Sequence, residues 1–454
     1  MQQPTPRPFP AGVPEVTRRG FLGALGVPAA AAALAAAGCA FDPTRAAQAA
    51  ANANALPVAA GSPEEVAVDE DFWAQVAQAW TVDRSLVNLN NGGVSPSPGI
   101  VQAAVKRHMD YANSYPSALA LLGSLQPQVE AVREKLAAAF GADPEELALT
   151  RNSSESLQIC QLGLDLQRGD EVLASTQDYP RMITAFRQRE RREGIVLKQV
   201  VLPVPAEDPA AVVALYEQAI TPRTKLILMC HMINLTGQIL PVKQVVAMAR
   251  ARGIPVIVDG AHALAHVDFQ LRDLDCDYYG VSLHKWLAAP HGTGLLYVRR
   301  EKIAGLWPLM AAGPALDHDI RKFEEIGTQP LALKLGIAEA VDFHVALGGA
   351  RKAARLVHLR DLWARRLLAA SDRVVLHTSL APGLAGGLAN VELRGVDTAK
   401  LQSWLWDKHR ILVTAIVHPE FSGLRVTPQV YTTPGEIDRF CAAMEHVLAE
   451  GLPA

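Results

Sequence analysis

The chain has 454 residues, of which 50% are hydrophobic and 20% charged, which excludes a wholly disordered chain and allows a large buried core. Lys and Arg total 43 against 46 Asp and Glu, so the net charge of −3 indicates no cationic surface for nucleic acid. Five cysteines without a CxxC pair exclude a disulfide scaffold and argue against a zinc site, and no metal is expected.

The amino terminus has the pattern of an export signal. Two arginines at 18–19 stand directly before an Ala-rich run that is too short and too weakly apolar for a good membrane span. This pattern predicts a twin-arginine signal peptide over 1–48 and a disordered linker over 49–65, with an ordinary amphipathic helix as the alternative. The sequence Ala-Ala-Gly-Cys ending at Cys39 resembles a lipoprotein box, and cleavage in the Ala-rich stretch up to Leu56 is the other possibility. We therefore expect export through the twin-arginine machinery to a periplasmic or membrane-anchored extracytoplasmic location.

Helices and short apolar strands alternate along the rest of the chain. Helical spacing covers 131–142 and 242–253, and strand patterns cover 171–176, 225–233, 254–262, 277–285 and 292–300. Strands separated by helices predict an α/β fold with a mostly parallel sheet, which binds ligands at the carboxyl ends of its strands. From about residue 330 the pattern changes: a helical stretch (330–349) precedes an alternating segment (386–395) that suits a small antiparallel sheet.

Two of the predicted strands end in chemically active side chains. Asp259 ends an apolar strand on a tight turn, and Lys285 follows His284 at the end of another strand. Burial and a neighbouring cation lower the pKa of a lysine, and a neutral amine can form a Schiff base with an aldehyde. Pyridoxal phosphate needs such a lysine, an acid for its ring nitrogen and a cup for its phosphate. Taken alone, a surface lysine and a structural aspartate explain this pair equally well.

A candidate phosphate cup lies earlier in the chain. The segment TRNSSESLQ (150–158) follows an apolar run and opens a helix. Ser153, Ser154 and the free N–H groups of the first helical turn would hold a phosphate. The alternative is a plain helix start with Ser153 as its N-cap.

The 44 residues from Val258 to Glu301 resemble the cofactor-lysine region of the class V aminotransferase family. This family includes cysteine desulfurases, isopenicillin N epimerases and kynureninases. The resemblance extends from about Asn88 to the carboxyl terminus through TRNSSES, STQDYP, NLTGQILPV, FEEIGTQP and LRVTPQVYTTPGEIDRF. The NNGGVSP opening and the tyrosine of TQDYP are more similar to the isopenicillin N epimerase-like branch than to the desulfurases.

This resemblance implies the fold type I of pyridoxal-phosphate-dependent transferases. A large cofactor-binding domain (101–330) would carry a mostly parallel, seven-stranded sheet covered by helices. A smaller α+β domain (331–454) would follow it, and an N-terminal segment (66–100) would join the smaller domain.

The resemblance also implies roles for individual residues. Lys285 is expected to bind the cofactor covalently and to move the Cα proton, while Asp259 pairs with the ring nitrogen. The other cofactor contacts are two residues near the phenolic oxygen, an aromatic residue stacked on the ring face, and four phosphate ligands. The two residues near the phenolic oxygen are Asn234 and His262, and the stacked aromatic residue is Tyr179. The phosphate ligands are Ser153, Ser154, Ser282 and His284. The alternatives are structural roles: His262 and His284 could be histidines at strand ends whose hydrogen bonds are made within the fold, and Tyr179 could be a core residue.

Three further expectations concern the substrate and a partner subunit. Arg425 matches the arginine that grips the α-carboxylate, although a surface carboxylate could be its partner instead. The turn at Asn91 and Gly92 matches a substrate-side segment. Thr328 matches a residue that reaches the phosphate site of the partner subunit, which implies a homodimer.

The sequence argues against one reaction of this family and leaves several others open. Cysteine desulfurases carry a nucleophilic cysteine shortly before the carboxylate-binding arginine, but the stretch 409–427 contains none. We therefore expect an enzyme acting at the Cα of an amino acid, with transamination first and epimerisation or C–S or β-lyase chemistry as the alternative. A protein that binds pyridoxal phosphate without turnover is a weaker possibility. A nicotinamide oxidoreductase is disfavoured because no GxGxxG follows an early strand of the mature chain.

Overall fold

The computed structural model describes residues 56–57, 59–117, 123 and 125–453, in which helices and strands alternate. The amino-terminal part contains α1 (Pro63–Ala67), α2 (Glu70–Ala77), β1 (Val87–Asn88), α3 (Gly99–Ser114) and α4 (Gln126–Phe140). The central part contains β2 (Leu147–Thr150), α5 (Ser153–Gly163), β3 (Glu171–Ser175), α6 (Pro180–Glu193), β4 (Val196–Val200), α7 (Pro209–Ala219), β5 (Thr224–Cys230), α8 (Val242–Arg250), β6 (Val256–Asp259), α9 (Leu271–Leu274), β7 (Tyr278–Ser282) and β8 (Gly294–Val298).

The carboxyl-terminal part contains α10 (Leu331–Leu335), α11 (Ile337–Leu347), α12 (Gly349–Ala370), β9 (Val374–Leu376), β10 (Ala389–Leu393), α13 (Thr398–His409), β11 (Ile411–Leu412), β12 (Thr414–Val417), β13 (Ser422–Val426) and α14 (Pro434–Glu450). Short 3-10 helices lie at Pro144–Glu146, Arg300–Lys302, Pro314–Leu316 and Ile320–Glu324.

A seven-stranded sheet has the order β2–β8–β7–β6–β5–β3–β4. Strands β3 to β7 pair in parallel, and β8 runs antiparallel between β7 and β2. Leu226 and Leu228 of β5 pack into one buried cluster, and Ile227 and Met229 pack into another. Because successive side chains of a strand point to opposite faces, the sheet is buried on both sides. The predicted α/β fold with a mostly parallel, seven-stranded sheet is confirmed.

A four-stranded antiparallel sheet, β12–β13–β10–β9, forms a smaller layer near the carboxyl terminus. Its buried face packs with α12 and α14, where Trp363 and Phe440 meet edge to face. Strand β1 pairs in parallel with β11, and Val87 and Leu89 enter the same core. Residues 87–89 are therefore tied to this layer, whereas Phe72 and Trp73 pack in the core of the large sheet. The predicted joining of the whole segment 66–100 to the smaller domain stays a prediction.

The predicted helical stretch 330–349 is broken and packs elsewhere than expected. Gly336 separates α10 from α11, and a Cβ at this position would lie 2.7 Å from Cγ2 of Val105 in α3. Ile337, Val341 and Phe343 contribute to the core of the large sheet. By packing, α10 and α11 thus belong with the large layer, so the boundary predicted at 330/331 is too early. The wider domain division stays a prediction.

The predicted linker also ends too late. Helix α1 begins at Pro63, and Ser62 and Glu65 form a reciprocal capping box that fixes its start. The Ala- and Pro-rich composition around 49–65 hides this short Ser-x-x-Glu signal.

The predicted signal peptide over 1–48, including Cys39, lies outside the described residues. Export and lipid attachment therefore stay predictions. Across the described ranges, none of the helices has the length and apolarity needed to span a bilayer.

A buried ion network joins the large sheet to the helices beside it. Glu324 accepts hydrogen bonds from Arg133 of α4 at 2.5 Å and from Lys334 of α10 at 2.9 Å. It also accepts the backbone N–H of Leu149 in β2 at 2.8 Å. The side chains of all three charged residues are less than 10% exposed. Loss of Glu324 would leave Lys334 as an uncompensated buried charge, whereas Arg133 would keep a second carboxylate partner, Glu130, at 3.0 Å.

We predict that Glu324→Gln lowers the free energy of unfolding by about 3 kcal/mol, because the buried Lys334 then loses its carboxylate partner and Arg133 keeps only Glu130. Urea denaturation of the purified protein measures the change. Glu301→Gln is the matched control, since Glu301 is 66% exposed and its pairing with Arg299 at 3.6 Å is worth less than about 1 kcal/mol. Equal losses in the two variants would contradict the prediction.

Candidate active site

A cavity of about 450 Å³ lies at the carboxyl edge of the large sheet. Most of the residues predicted for the site line this cavity, together with three that were not predicted. The lining consists of Gly92, Gly93, Asn152, Ser153, Ser154, Tyr179, Arg181, Asn234, His262, Ser282, His284, Lys285 and Arg425. Within the described chain, the lining contains no carboxylate side chain, so its charge is cationic.

Lys285 and Asp259 come from neighbouring parallel strands. Asp259 ends β6 and is 5% exposed, and its Oδ1 accepts the backbone N–H of Ala261 at 3.0 Å. Lys285 lies three residues after β7, and burial lowers the pKa of its amine to about 8. The negative charge of Asp259 opposes this shift, whereas the Arg425 guanidinium adds to it. A pKa of about 8 leaves on the order of a tenth of the amine neutral at pH 7, far more than for an ordinary lysine, and the neutral form is the nucleophile.

His262 links the amine to a tryptophan. Its Nε2 lies 3.0 Å from Nζ of Lys285, and its Nδ1 accepts the indole N–H of Trp286 at 3.4 Å. Burial lowers the pKa of His262 well below its usual value, so the ring is neutral. A neutral imidazole that accepts at Nδ1 carries its proton on Nε2, which can then donate to the free amine of Lys285.

Trp286 is itself held in place from two sides. It stacks on His266 with ring centroids 3.7 Å apart, and its carbonyl accepts a hydrogen bond from Lys352. Trp286 and its contacts were not predicted from the sequence, because an apolar residue after a lysine gives no sign of such a hydrogen bond.

The predicted phosphate cup is assembled between two strand ends. The backbone N–H of Ser153 donates to Oγ of Ser282 at 2.9 Å, and the two hydroxyls are 2.9 Å apart. Asn152, not Ser153, caps α5, since its Oδ1 accepts the N–H of Glu155 at 2.9 Å. The cap alternative for Ser153 is therefore wrong, and its hydroxyl lines the cavity. Nδ1 of His284 lies 3.1 Å from the carbonyl of Thr293, which leaves Nε2 unbonded within the described residues.

Arg425 lies on β13 and is 8% exposed. It donates to the carbonyl of Asn234 at 3.2 Å and to Oδ1 of Asn90 at 2.9 Å, and its Nε is buried without a partner. Burial lowers the pKa of its guanidinium to about 10. Among the residues that the structure describes, Arg425 forms no ion pair, so the surface-carboxylate alternative is wrong. A buried cation held only by neutral acceptors is suited to an anionic ligand.

Several predicted residues lie outside the lining or have another use. Asn91 is fully buried, donates to the carbonyls of Asn88 and Thr427, and accepts the hydroxyl of Tyr431 at 2.6 Å. Its amide is thus committed to the fold, and the neighbouring Asn90 orients Arg425 instead. Thr328 is exposed next to Gly327, whose φ is +76°, and it does not line the cavity of its own chain.

The cysteines of the described residues are all buried and lie outside the cavity lining. Burial raises the pKa of each thiol, to about 12 for Cys276 and Cys441. A buried thiol with a raised pKa is a poor nucleophile.

Comparison with known proteins places this site in a family. The model of the family described as "Aminotransferase class-V" matches residues 87–440. The chain belongs to the class V aminotransferase family. It is 33% identical over 395 residues to the isopenicillin N epimerase of Streptomyces clavuligerus, covering 83% of this chain and 99% of that protein.

Two other relatives are more distant. The cysteine desulfurase of Pectobacterium atrosepticum is 26% identical over 369 residues, which covers 76% of this chain and 88% of the desulfurase. The solved structure of a C-DES mutant with glycine covalently linked to its pyridoxal phosphate cofactor superposes with a TM-score of 0.71. It is 22% identical and covers 80% of this chain and 97% of that chain, a likeness that supports the fold.

The residues of the cavity fit pyridoxal phosphate, the cofactor that the sequence predicts. A buried amine and a buried acid match its aldehyde and ring nitrogen. Oδ1 of Asn234 is buried without a partner, and rotation of the amide would place its Nδ2 there, from which it could donate to the phenolic oxygen. Ser153, Ser282 and the start of α5 would hold its phosphate.

The lowered pKa of Lys285 predicts how its reaction with the cofactor depends on pH. Covalent attachment of pyridoxal phosphate to the apo-protein should reach half its maximal rate near pH 8, because the neutral amine is the reacting form. Stopped-flow absorption measures the rate. Asp259→Asn should lower this midpoint, since the aspartate charge raises the pKa of Lys285. A rate that keeps rising towards about pH 10.4, the ordinary value for lysine, would contradict the assignment.

Proposed function

We propose that the protein is a pyridoxal-phosphate-dependent enzyme that inverts the Cα configuration of an α-amino acid. The observation that carries this proposal is that Lys285 and Tyr179 line one cavity from different strand ends. Inversion requires proton removal on one side of Cα and proton delivery on the other. An amine and a phenol that approach from different directions provide both groups.

The sheet order separates these two groups. Lys285 follows β7 and Tyr179 follows β3, and β6 and β5 lie between them. At roughly 4.8 Å per strand, the two strand ends are about 14 Å apart. Asp259 of β6 and Asn234, which follows β5, occupy the intervening positions. The cofactor ring and Cα would thus lie between the amine and the phenol.

The other residues orient the substrate and the cofactor. When bound, pyridoxal phosphate supplies an electron sink for the electron pair left at Cα. Arg425 would bind the α-carboxylate, and Lys285 would take the Cα proton. His262 would hold the phenolic oxygen through the N–H on Nε2, and Asp259 would keep the ring nitrogen protonated.

The relatives support epimerase or C–S lyase chemistry over transamination, and the most extensive of the reported matches is to an epimerase. The match to the Streptomyces epimerase covers nearly its full length. Desulfurisation is less well supported, because none of the four cysteines in the described residues lines the cavity. Transamination, the first expectation from the sequence, is the second candidate, since it needs one base and Lys285 is sufficient for it.

We also propose that the protein is a homodimer exported by the twin-arginine route. Thr328 is exposed and lies outside its own cavity, as expected of a residue that reaches the phosphate of the partner subunit. The export proposal rests on the arginine pair at 18–19 and on the Ala-rich run that follows it.

Tyr179→Phe tests the reaction, because it keeps the aromatic ring and removes the hydroxyl. In D2O, the wild-type enzyme should invert its substrate and place deuterium at Cα. The variant should lose inversion by about a hundredfold or more while Lys285 still exchanges the Cα proton with retention. Chiral chromatography and proton NMR measure the two rates.

Tyr111→Phe, on the exposed side of α3, is the matched control and should behave as wild type. Stoichiometric formation of a keto acid by the wild type would support transamination instead. Inversion at full rate in Tyr179→Phe would remove the phenol from the proposal.

Arg425→Gln should raise the KM for the amino acid on the order of a hundredfold, because the α-carboxylate loses its buried charged partner. Arg425→Lys keeps the charge but not the planar fork, so it should lose less. The absorption of the bound cofactor should stay unchanged in both variants. Loss of the cofactor rather than of substrate affinity would argue against this role.

A further inference from the structure

Arg181 lines the cavity but has no role in the proposed reaction. It lies at the second position of α6, two residues after Tyr179, and its side chain is exposed at the lining of the cavity. Among the described residues it forms neither a hydrogen bond nor an ion pair. Elsewhere on the same helix, Arg187 pairs with Glu190 and Arg189 with Glu193.

Its place on the helix is electrostatically unfavourable. The start of a helix carries a partial positive charge, so a cation there is disfavoured by about 0.3–1 kcal/mol. The basic residues Arg191 and Arg192 lie instead in the last turn, where the helix dipole stabilises them. An exposed cation that lines the cavity and has no carboxylate partner is available to a ligand that carries negative charge.

The sheet order shows which part of a ligand Arg181 would meet. The phosphate cup of Ser153 and Ser282 lies at the end of β7, and Asp259 ends the next strand. Arg425 reaches the carbonyl of Asn234 after β5. Arg181 follows β3, which is the next strand along the same edge. The phosphate, the cofactor ring and the α-carboxylate are thus assigned to the region of β7, β6 and β5. The end of β3, with Arg181, is left for the substrate side chain.

We infer that Arg181 selects α-amino acids whose side chain ends in a second anionic group, such as a carboxylate. This inference rests on the proposed function, since it names the substrate class of that same site. A guanidinium at the cavity mouth forms a charge-assisted, two-point contact with a carboxylate, whereas the matching amide offers one acceptor and no charge. Discrimination between an acid and its amide is therefore the property that Arg181 controls.

The test titrates full-length holo-protein with L-glutamate, L-glutamine, L-aspartate and L-asparagine. Dissociation constants come from the change in absorption of the bound cofactor. The wild type should bind at least one acid tenfold or more tightly than its amide. Arg181→Gln should reduce this ratio to near one without weakening the amide, and Arg181→Lys should keep part of it. Arg191→Gln removes the same charge from the other end of α6 and should leave the ratio unchanged.

Each contrary outcome overturns the inference in a recognisable way. An acid-to-amide ratio near one in the wild type, or an unchanged ratio in Arg181→Gln, removes Arg181 as a specificity residue while leaving the proposed function intact. Weaker cofactor binding in Arg181→Gln, with the ratio preserved, would assign the arginine to the phosphate. If no amino acid perturbs the cofactor of the wild type, the proposed function fails and the inference fails with it.

Discussion

Parallel pairing of β7, β6, β5 and β3 is the constraint on which the site depends. It brings four strand ends to one edge of the sheet in a fixed order, and each end delivers a different functional group. Register matters as much as order. Cys230 pairs with Asp259, and a slip of one residue would turn the carboxylate to the other face of the sheet. The buried cores on both faces resist such a slip, because it would move every side chain of the strand out of the packing that it has on its own face.

Desolvation turns this arrangement into a reactive site. Lys285 and Arg425 are cations held away from water with no carboxylate in the cavity lining, and both have lowered pKa values. Asp259, just behind the lining, limits the shift at Lys285, while His262 offers its Nε2–H to the amine. The cavity is therefore arranged for ligands that bring negative charge: a phosphate, an α-carboxylate and, by our inference, a side-chain anion.

The sequence predicted the parts of the site that follow long apolar strands. Strand ends predicted Lys285, Asp259 and Ser153, and the family resemblance predicted Arg425; Ser153, Lys285 and Arg425 line one cavity. Contacts between distant segments were not found: Asn90 holds Arg425 across 335 positions of the chain, and the adjacent Asn91 was named in its place. The break at Gly336 also depends on a tertiary contact with α3, which no local pattern records.

We propose that Lys285 is the residue that carries the cofactor in this cavity. Borohydride reduction of the holo-protein, followed by proteolysis and mass spectrometry of the peptides, tests it most directly. The cofactor mass should be found on Lys285 alone. Modification of Lys352, the other buried lysine near Trp286, or of no lysine at all would contradict it.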